Sequence, residues 1–200
     1  MNTNCKKKIF IGFMIISILL LLSVSGSFCE ENRPEMPKIR NNYVKIGANY
    51  FSPSEKSFKD MYGEGVTFGG EINIKLWKFI NLWLVGNYYS KKGSLPSTKE
   101  STEMTLIPIG VGIKLILKKN VINPYLGLGP VLYIYKEKNP IGAADGTGMG
   151  IIGEIGCYFR IIGGLLIDAS VNYSYCEVKP QKIKADLGGI QAGIGLGYAF

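Results

Sequence analysis

The C-terminal stretch, residues 190–200, constrains the fold of this chain more than any other segment. It reads I-Q-A-G-I-G-L-G-Y-A-F, so apolar side chains alternate with glycine, glutamine and alanine. A period of two is typical of a β-strand with two different faces. A strand with one apolar face is an open edge until another strand pairs with it, and pairing with the first strand would close a barrel. We therefore predict that this stretch is the closing strand of a membrane β-barrel.

The N-terminal segment has the order of a secretory signal peptide. Lysines at 6–8 precede an apolar run at 9–22, which is too short to span comfortably as a helix, and a stretch rich in small residues follows. We predict a signal peptide at 1–27, a flexible periplasmic lead-in at 28–42 and the barrel domain at 43–200. A lipoprotein anchor at Cys29 is the alternative, but Phe28 stands where a small residue is normal. Cleavage removes three lysines from a net charge of +8, so we expect no nucleic-acid partner.

Eight alternating stretches follow from position 43, separated by breaks of two lengths. Long polar breaks at 51–64, 90–102, 136–148 and 177–188 follow the odd-numbered strands, and short turns follow the even-numbered ones. Bacterial outer-membrane barrels have an even strand number, short periplasmic turns and longer extracellular loops. The sequence thus predicts an all-β fold, an eight-stranded antiparallel up-and-down transmembrane barrel with both termini periplasmic. A soluble sandwich is the alternative, but it needs neither a terminal aromatic residue nor alternating loop lengths.

Two short motifs resemble those of a known family. The ending G-L-G-Y-A-F at 195–200 is similar to a terminal signal of glycine, two variable residues, aromatic, variable, aromatic, and N-P-Y-L-G-L-G at 123–129 resembles a recurrent strand opening. From about Tyr43 the chain resembles the small eight-stranded outer-membrane β-barrels, the family of the OmpA transmembrane domain, OmpX and OmpW. The resemblance implies that the barrel-assembly machinery reads Gly195, Tyr198 and Phe200. Gly193 departs from the polar residue that this family has at the preceding position.

The chain contains no histidine. Outer-membrane phospholipases, lipid A modifiers and omptin-type proteases resemble one another in using histidine as a base, so none of these activities is expected. A histidine-based metal site is excluded as well, and the carboxylates and serines form no recognisable nucleophile arrangement. We therefore predict a protein that is not an enzyme and has neither cofactor nor metal.

Seven charged residues fall on the predicted inward faces: Lys45, Glu71, Lys75, Lys114, Glu154, Arg160 and Asp168. Their charges nearly cancel, and the interior of an eight-stranded barrel is filled by side chains. The simplest interpretation is a polar network that plugs the lumen and satisfies each buried group. The alternative is a narrow solute path lined by the same residues, although they form no one-sign ring of the kind that selects ions.

Lysines in the long loops have acidic neighbours, a mixture typical of a solvated surface, although binding of lipopolysaccharide phosphates or a host surface is the alternative. Tyrosines near strand ends are expected in the aromatic girdles of the membrane: Tyr43, Tyr50, Tyr88, Tyr173 and Tyr198. Our leading hypothesis is a non-enzymatic integral outer-membrane protein, in contact with outer-membrane lipid, that serves envelope structure or surface interaction through four extracellular loops. The alternative is a small porin-like channel for ions or apolar solutes.

Overall fold

The computed structural model describes residues 42–94, 100–117, 121–140, 142–178 and 185–200. The predicted signal peptide and nearly all of the predicted lead-in lie outside these residues. The described elements are, in chain order, β1 (Tyr43–Pro53), α1 (Lys56–Tyr62), β2 (Gly65–Lys75), β3 (Ile80–Ser94), β4 (Ser101–Ile116), β5 (Ile122–Asn139), β6 (Gly142–Arg160), β7 (Leu165–Tyr175), β8 (Glu177–Val178), β9 (Ala185–Asp186) and β10 (Gly189–Ala199). Among these residues no helix is long and apolar enough to cross a membrane.

Eight of the described strands close on themselves as an antiparallel barrel. Around the wall the order is β1, β10, β7, β6, β5, β4, β3, β2, and β8 pairs only with β9 outside the barrel. The seam between β1 and β10 runs from Tyr43 opposite Ala199 to Pro53 opposite Gly189. Closure gives both edges a partner, which is the condition for a sheet to exist in lipid. The predicted eight-stranded up-and-down barrel is confirmed.

Side chains alternate between the outer and inner faces as the pattern predicts. On β7 every odd-numbered position is exposed and every even-numbered position is buried. On β5 the large residues Leu126 and Leu128 point outward, whereas Tyr125, Val131 and Tyr133 are buried inside. The outward apolar side chains form a continuous belt around the closed barrel, which is the surface that a membrane-spanning barrel presents to lipid.

Tyr43 does not lie in the outer aromatic girdle that the sequence predicted for it. Its side chain is inside the barrel, 1 % exposed, and stacks on Tyr158 with ring centroids 5.3 Å apart. Tyr43 is two residues from Lys45, so strand alternation gives both the same inward face. The other predicted girdle tyrosines are exposed on the outer face: Tyr50, Tyr88, Tyr173 and Tyr198.

The predicted loop at 136–148 is wrong, because β5 and β6 continue there as a paired hairpin. The ladder passes through Lys136 opposite Asp145 and reaches Asn139 opposite Gly142. In the same way β3 continues to Ser94 and β4 begins at Ser101 within the predicted loop at 90–102. Beyond the apolar belt both faces of a strand tolerate polar residues, so the alternation by which strands were recognised is lost there.

Side chains from the connections cover the barrel mouth at the end remote from Asn42 and Phe200, here called the loop end. The predicted loop at 51–64 contains α1, whose Phe58 and Tyr62 are buried with ring centroids 5.0 Å apart. The segment that carries β8 and β9 adds Val178 and Leu187. With their neighbours these side chains form the loop-end core: Phe51, Phe58, Tyr62, Tyr89, Met104, Leu106, Tyr133, Cys176, Val178 and Leu187.

The backbones of β1 and β10 approach closely at Gly47, which lies opposite Gly195. A Cβ atom on Gly47 would lie 2.6 Å from the carbonyl oxygen of Ile194, whereas a Cβ on Gly86 would meet no atom within 4 Å. We expect Gly47→Val to destabilise the closed barrel by about 1–3 kcal/mol through overpacking, and Gly86→Val by less than about 0.5 kcal/mol. Urea unfolding followed by the gel shift between unboiled and boiled samples measures both. Equal stability of the two variants would contradict the close approach at the seam.

Glu64 connects the α1 segment to the barrel at the loop end. Its carboxylate pairs with Lys59 Nζ at 2.6 Å and accepts hydrogen bonds from Ser52 Oγ, at 2.8 Å, and from Tyr50 Oη. Hydrogen bonding to Lys59 first, and then to Tyr50 and Ser52, lowers the pKa of Glu64 from its ordinary 4.5 to about 2. The ionised carboxylate therefore holds the segment that carries Phe58 and Tyr62 against the mouth.

Because the folded pKa of Glu64 is the lower one, its stabilising effect is complete above about 4.5 and is lost as the pH falls through about 2. We expect hydrogen-exchange protection of α1, corrected for intrinsic rates, to fall between pH 5 and pH 2. Glu64→Gln is expected to lower that protection already at pH 5. The matched control is Glu55→Gln, because Glu55 makes no side-chain capping hydrogen bond to α1. Unchanged protection in Glu64→Gln would contradict this role of the carboxylate.

Candidate functional site

The register of the strands brings charged side chains to one level of the barrel interior. Lys45 on β1 lies opposite Glu71 on β2. Lys114 on β4 and Glu154 on β6 both lie opposite Gly127 on β5. Since Gly127 has no side chain, nothing from β5 stands between that lysine and that glutamate at this position. The side chains of Lys114 and Glu154 can therefore meet in the lumen, where Lys45 and Glu71 also lie.

Lys45, Glu71, Lys114 and Glu154 form a closed ring of alternating charge, here called the charge ring. Lys45 Nζ lies 2.9 Å from Glu71 Oε2 and 3.1 Å from Glu154 Oε1. Lys114 Nζ lies 2.8 Å from Glu154 Oε2 and pairs with Glu71 Oε1 as well. Asp168 on β7 is attached to the ring through Lys45, 2.5 Å from its Nζ. The lysines and the carboxylates are at most 11 % exposed, so each charge depends on its neighbours to offset the loss of water.

Aromatic side chains enclose the charge ring. Tyr158 donates a hydrogen bond to Glu71 Oε1 at 2.7 Å, and Tyr125 donates one to Asp168 Oδ1 at 2.7 Å. Lys114 Nζ lies 4.2 Å from the ring centroid of Tyr125 and 4.7 Å from that of Trp83. Cation–π attraction is strongest where the cation has lost its water, as here. The aromatic rings thus stabilise the lysine and fill the space between the charges and the barrel wall.

Five of the seven residues predicted for the interior network meet in the charge ring and its Asp168 branch. Arg160 also points inward, but one level nearer Asn42 and Phe200, where Nη2 donates to Tyr43 Oη at 3.1 Å. Lys75 does not join them, because its side chain is exposed at the last residue of β2. The prediction that Lys75 belongs to the interior network is wrong. The strand ends at this residue, so the side chain lies outside the lumen.

Trp83, Tyr125 and Tyr158 belong to the site, although sequence reasoning did not include them in the network. Alternation already placed all three side chains on inward faces. Their level relative to the lysines depends on the pairing register, for example Tyr158 opposite Asp168. These three residues could have been predicted from one feature of the sequence: each is an inward-facing aromatic residue on a strand near an inward-facing lysine.

A small polar cavity lies on the loop-end side of the charge ring. Its volume is about 20 Å³, and its wall includes Asn49, Asn87, Ser170 and Asn172 together with the carboxylates of the site. That volume is enough for about one water molecule. Asn172 Oδ1 is buried there and has no hydrogen-bond partner among the described residues. A bound water would supply the missing donor.

Beyond this cavity the interior is mainly apolar, and Thr67, Ser174 and Gln191 are among the buried polar exceptions. Val85, Val131 and Ile152 are buried at the next level, and the loop-end core follows. Phe51 and Tyr89 meet there edge to face, with ring centroids 5.2 Å apart. The lumen is therefore filled at two levels, by paired charges in the half nearer Asn42 and Phe200 and by mainly apolar side chains at the mouth of the loop end.

The three residues of the predicted assembly signal lie at the seam and on the outer face. Gly195 is buried opposite Gly47. Tyr198 and Phe200 point outward, 42 % and 51 % exposed. Both aromatic side chains thus lie on the lipid-facing surface, at the end of the barrel opposite the loop end.

The described residues contain no group of three or more His, Cys, Asp or Glu side chains arranged for a metal ion. In the charge ring each glutamate has lysines as its ring neighbours, so the coordination positions of the carboxylates are occupied by ammonium groups. In this arrangement two lysines and two glutamates neutralise each other's charges across the lumen. The charge ring ties together strands that are distant in sequence.

The sequence matches no protein-family model and no curated protein. Solved structures nevertheless share the architecture. The fold is that of small outer-membrane barrels. OprG from Pseudomonas aeruginosa is 14 % identical with a TM-score of 0.62, over 81 % of this chain and 97 % of that one. Neisserial surface protein A is 17 % identical with a TM-score of 0.55, over 80 % and 97 %. The N-terminal β-barrel domain of P. aeruginosa OprF is 16 % identical with a TM-score of 0.51, over 79 % and 97 %.

Removal of one ring lysine leaves carboxylates buried without full compensation. We expect Lys114→Met to destabilise the barrel by about 3–5 kcal/mol, since both Glu71 and Glu154 lose a partner. Lys138→Met, at an exposed position of the loop end, is the matched control and should change stability by less than about 0.5 kcal/mol. Urea unfolding in lipid vesicles measures both variants.

Removal of both members of a ring pair tests whether the loss comes from the uncompensated charge. We expect Lys114→Met combined with Glu71→Gln to recover part of the stability that Lys114→Met alone loses. Additive losses in the double variant would show that the two side chains stabilise the barrel independently of each other.

Proposed function

We propose that the protein is a non-enzymatic integral outer-membrane barrel with a sealed lumen, which is anchored in the envelope and acts through its loop end. The observation that carries this proposal is the double filling of the lumen. The charge ring occupies one level, the loop-end core occupies another, and the polar cavity between them has a volume of about 20 Å³. Such an interior suits an anchor better than a path for solutes.

An outer-membrane location is supported by the apolar belt on a closed barrel and by the shared fold with OprG, Neisserial surface protein A and OprF. We propose that both termini face the periplasm, because short turns lie at that side in bacterial barrels. Insertion would then depend on the barrel-assembly machinery, with Gly195, Tyr198 and Phe200 as the recognised residues.

The loop end is proposed as the surface that meets the exterior. Its exposed side chains include cations and anions, among them Lys56, Lys59, Asp60, Lys136 and Asp145. Ail of Yersinia pestis, 14 % identical with a TM-score of 0.50, was crystallised in complex with the heparin analogue sucrose octasulfate. A polyanionic ligand or the phosphates of lipopolysaccharide are accordingly the partners we propose to test at this end.

A narrow porin-like channel is the second candidate. It is favoured by the polar cavity lined by Asn49, Asn87 and Asn172 beside the charge ring. Conduction would require the ring pairs and the loop-end core to separate together. The sealed barrel and the channel therefore differ in one measurable property, the conductance of the folded protein.

We expect the purified, folded protein to give no reproducible single-channel steps in planar bilayers, because the lumen is filled at two levels. A known porin added to the same bilayer serves as the positive control, and the gel shift on boiling shows that the inserted sample is folded. Reproducible steps that disappear in Glu71→Gln would refute the sealed lumen and favour the channel. Turnover of phospholipid or lipopolysaccharide by the same sample would refute the non-enzymatic assignment.

A further inference from the structure

The turns at the end of the barrel that holds Asn42 and Phe200, here called the terminal end, expose large apolar side chains. Trp77 is 69 % exposed and Ile162 is 83 % exposed, more than many residues of the lipid-facing belt. These residues belong to the turns between β2 and β3 and between β6 and β7, and Val121 belongs to the connection between β4 and β5. Together they form the terminal rim: Trp77, Phe79, Val121, Ile161 and Ile162.

The terminal rim lies beyond the part of the barrel that hydrocarbon covers. The exposed apolar positions of β7 extend from Leu165 to Tyr175. At about 3.3 Å per residue and a tilt of about 40°, a strand of this length rises roughly 25 Å, which matches the height of the apolar band in such barrels. Ile161 and Ile162 precede Leu165, so their side chains lie at the level of the lipid headgroups.

Among the described residues, the exposed charged side chains at the terminal end have one sign. Lys75 and Lys78 are exposed there, and no acidic side chain among the described residues of this end is exposed. The nearby carboxylates of Glu71 and Asp168 are buried in the charge ring and its branch. The loop end differs in both respects. Its exposed charges are mixed, and the ends of β3, β4 and β6 there are the exposed polar or small residues Ser94, Ser101 and Gly142.

We propose that the terminal rim is a binding surface for anionic phospholipid, with Lys75 and Lys78 on the phosphates and Trp77 and Ile162 at the glycerol level. Trp and Lys are the residues that anchor proteins at this depth, since an apolar body and a polar tip suit the interface. Each lysine close to an anionic surface contributes a favourable electrostatic interaction. The inference rests on the proposed membrane location and adds the class of lipid.

The distribution of the rim favours lipid over a protein partner. The rim residues follow β2, β4 and β6 in the chain, and these strands alternate around the wall of the barrel. The apolar side chains are therefore spread around the circumference instead of forming one patch on one side. A lipid leaflet surrounds the barrel in the same way, whereas a docked protein would need a contiguous surface.

Trp77 can be observed directly, because the chain contains two tryptophans and Trp83 is fully buried. The difference in fluorescence between the wild type and Trp77→Phe, both folded in vesicles, reports on Trp77 alone. We expect blue-shifted emission that is quenched more by lipid brominated near the carbonyl groups than by lipid brominated near the chain ends. Red, water-like emission that brominated lipid does not quench would overturn the proposal.

The lysines are tested by lipid competition between brominated phosphatidylglycerol and unbrominated phosphatidylcholine. We expect the preference of the wild type for the anionic lipid around Trp77 to fall about fivefold for each of Lys75→Gln and Lys78→Gln. Lys136→Gln combined with Lys138→Gln at the loop end is the matched control and should leave the preference unchanged. An equal fall in the control, or no fall in the Lys75 and Lys78 variants, would overturn the assignment of the phosphates to the terminal rim.

The gel shift on boiling separates failure of this inference from failure of the proposed location. A barrel that folds in vesicles but leaves Trp77 in water refutes lipid binding by the rim and leaves the membrane location standing. A chain that folds in no vesicle and stays soluble refutes the membrane location and the lipid site together. Protection of Trp77 only at high protein concentration, independent of lipid charge, would assign the rim to contacts between copies and refute the lipid site.

Discussion

A charge enclosed in a membrane barrel has to find its counter-charge inside the same barrel. The charge ring meets this requirement through four ion pairs among Lys45, Glu71, Lys114 and Glu154. Loss of a partner at this position leaves a buried charge that neither solvent nor lipid can stabilise, so its free-energy cost is high. Much of the interior is arranged around the ring. Tyr158 donates a hydrogen bond to Glu71, Tyr125 donates one to the Asp168 branch, and Trp83 packs against Lys114. Gly127 leaves the space in which Lys114 and Glu154 meet.

The outer and inner faces of the barrel wall are subject to different physical constraints. The outer face only has to be apolar over the height of the bilayer, so many sequences satisfy it. The interior has to fill a fixed cross-section with paired groups, which demands particular sizes and charges at particular heights. This difference accounts for a fold shared with OprG and Neisserial surface protein A at 14 % and 17 % identity. The residues of the interior and of the loop end, and not the shared fold, therefore carry the argument for function.

Most of the barrel could be predicted from the sequence because alternation is a local property. Strand faces, the closing strand and the inward positions of Glu71 and Lys114 all follow from a period of two. Alternation carries no information on height along the barrel, so it could not show that Lys75 lies past the end of the wall or that Tyr158 lies level with Asp168. The hairpin extension and α1 were missed because segments outside lipid lose the alternating pattern while their backbone hydrogen bonding continues.

Gly127 and the charges beside it have a consequence for how the chain selects its own pairing. A strand displaced by one residue turns its apolar side chains inward and its polar side chains toward lipid, which is energetically unfavourable. A displacement by two residues keeps every face correct, so hydrophobicity alone does not distinguish it from the native alignment. Such a slip moves a lysine about 6.6 Å along the strand, beyond the reach of its carboxylate. The ion pairs between strands distant in sequence therefore favour the native register over a shift by two residues, which the apolar outer face does not distinguish.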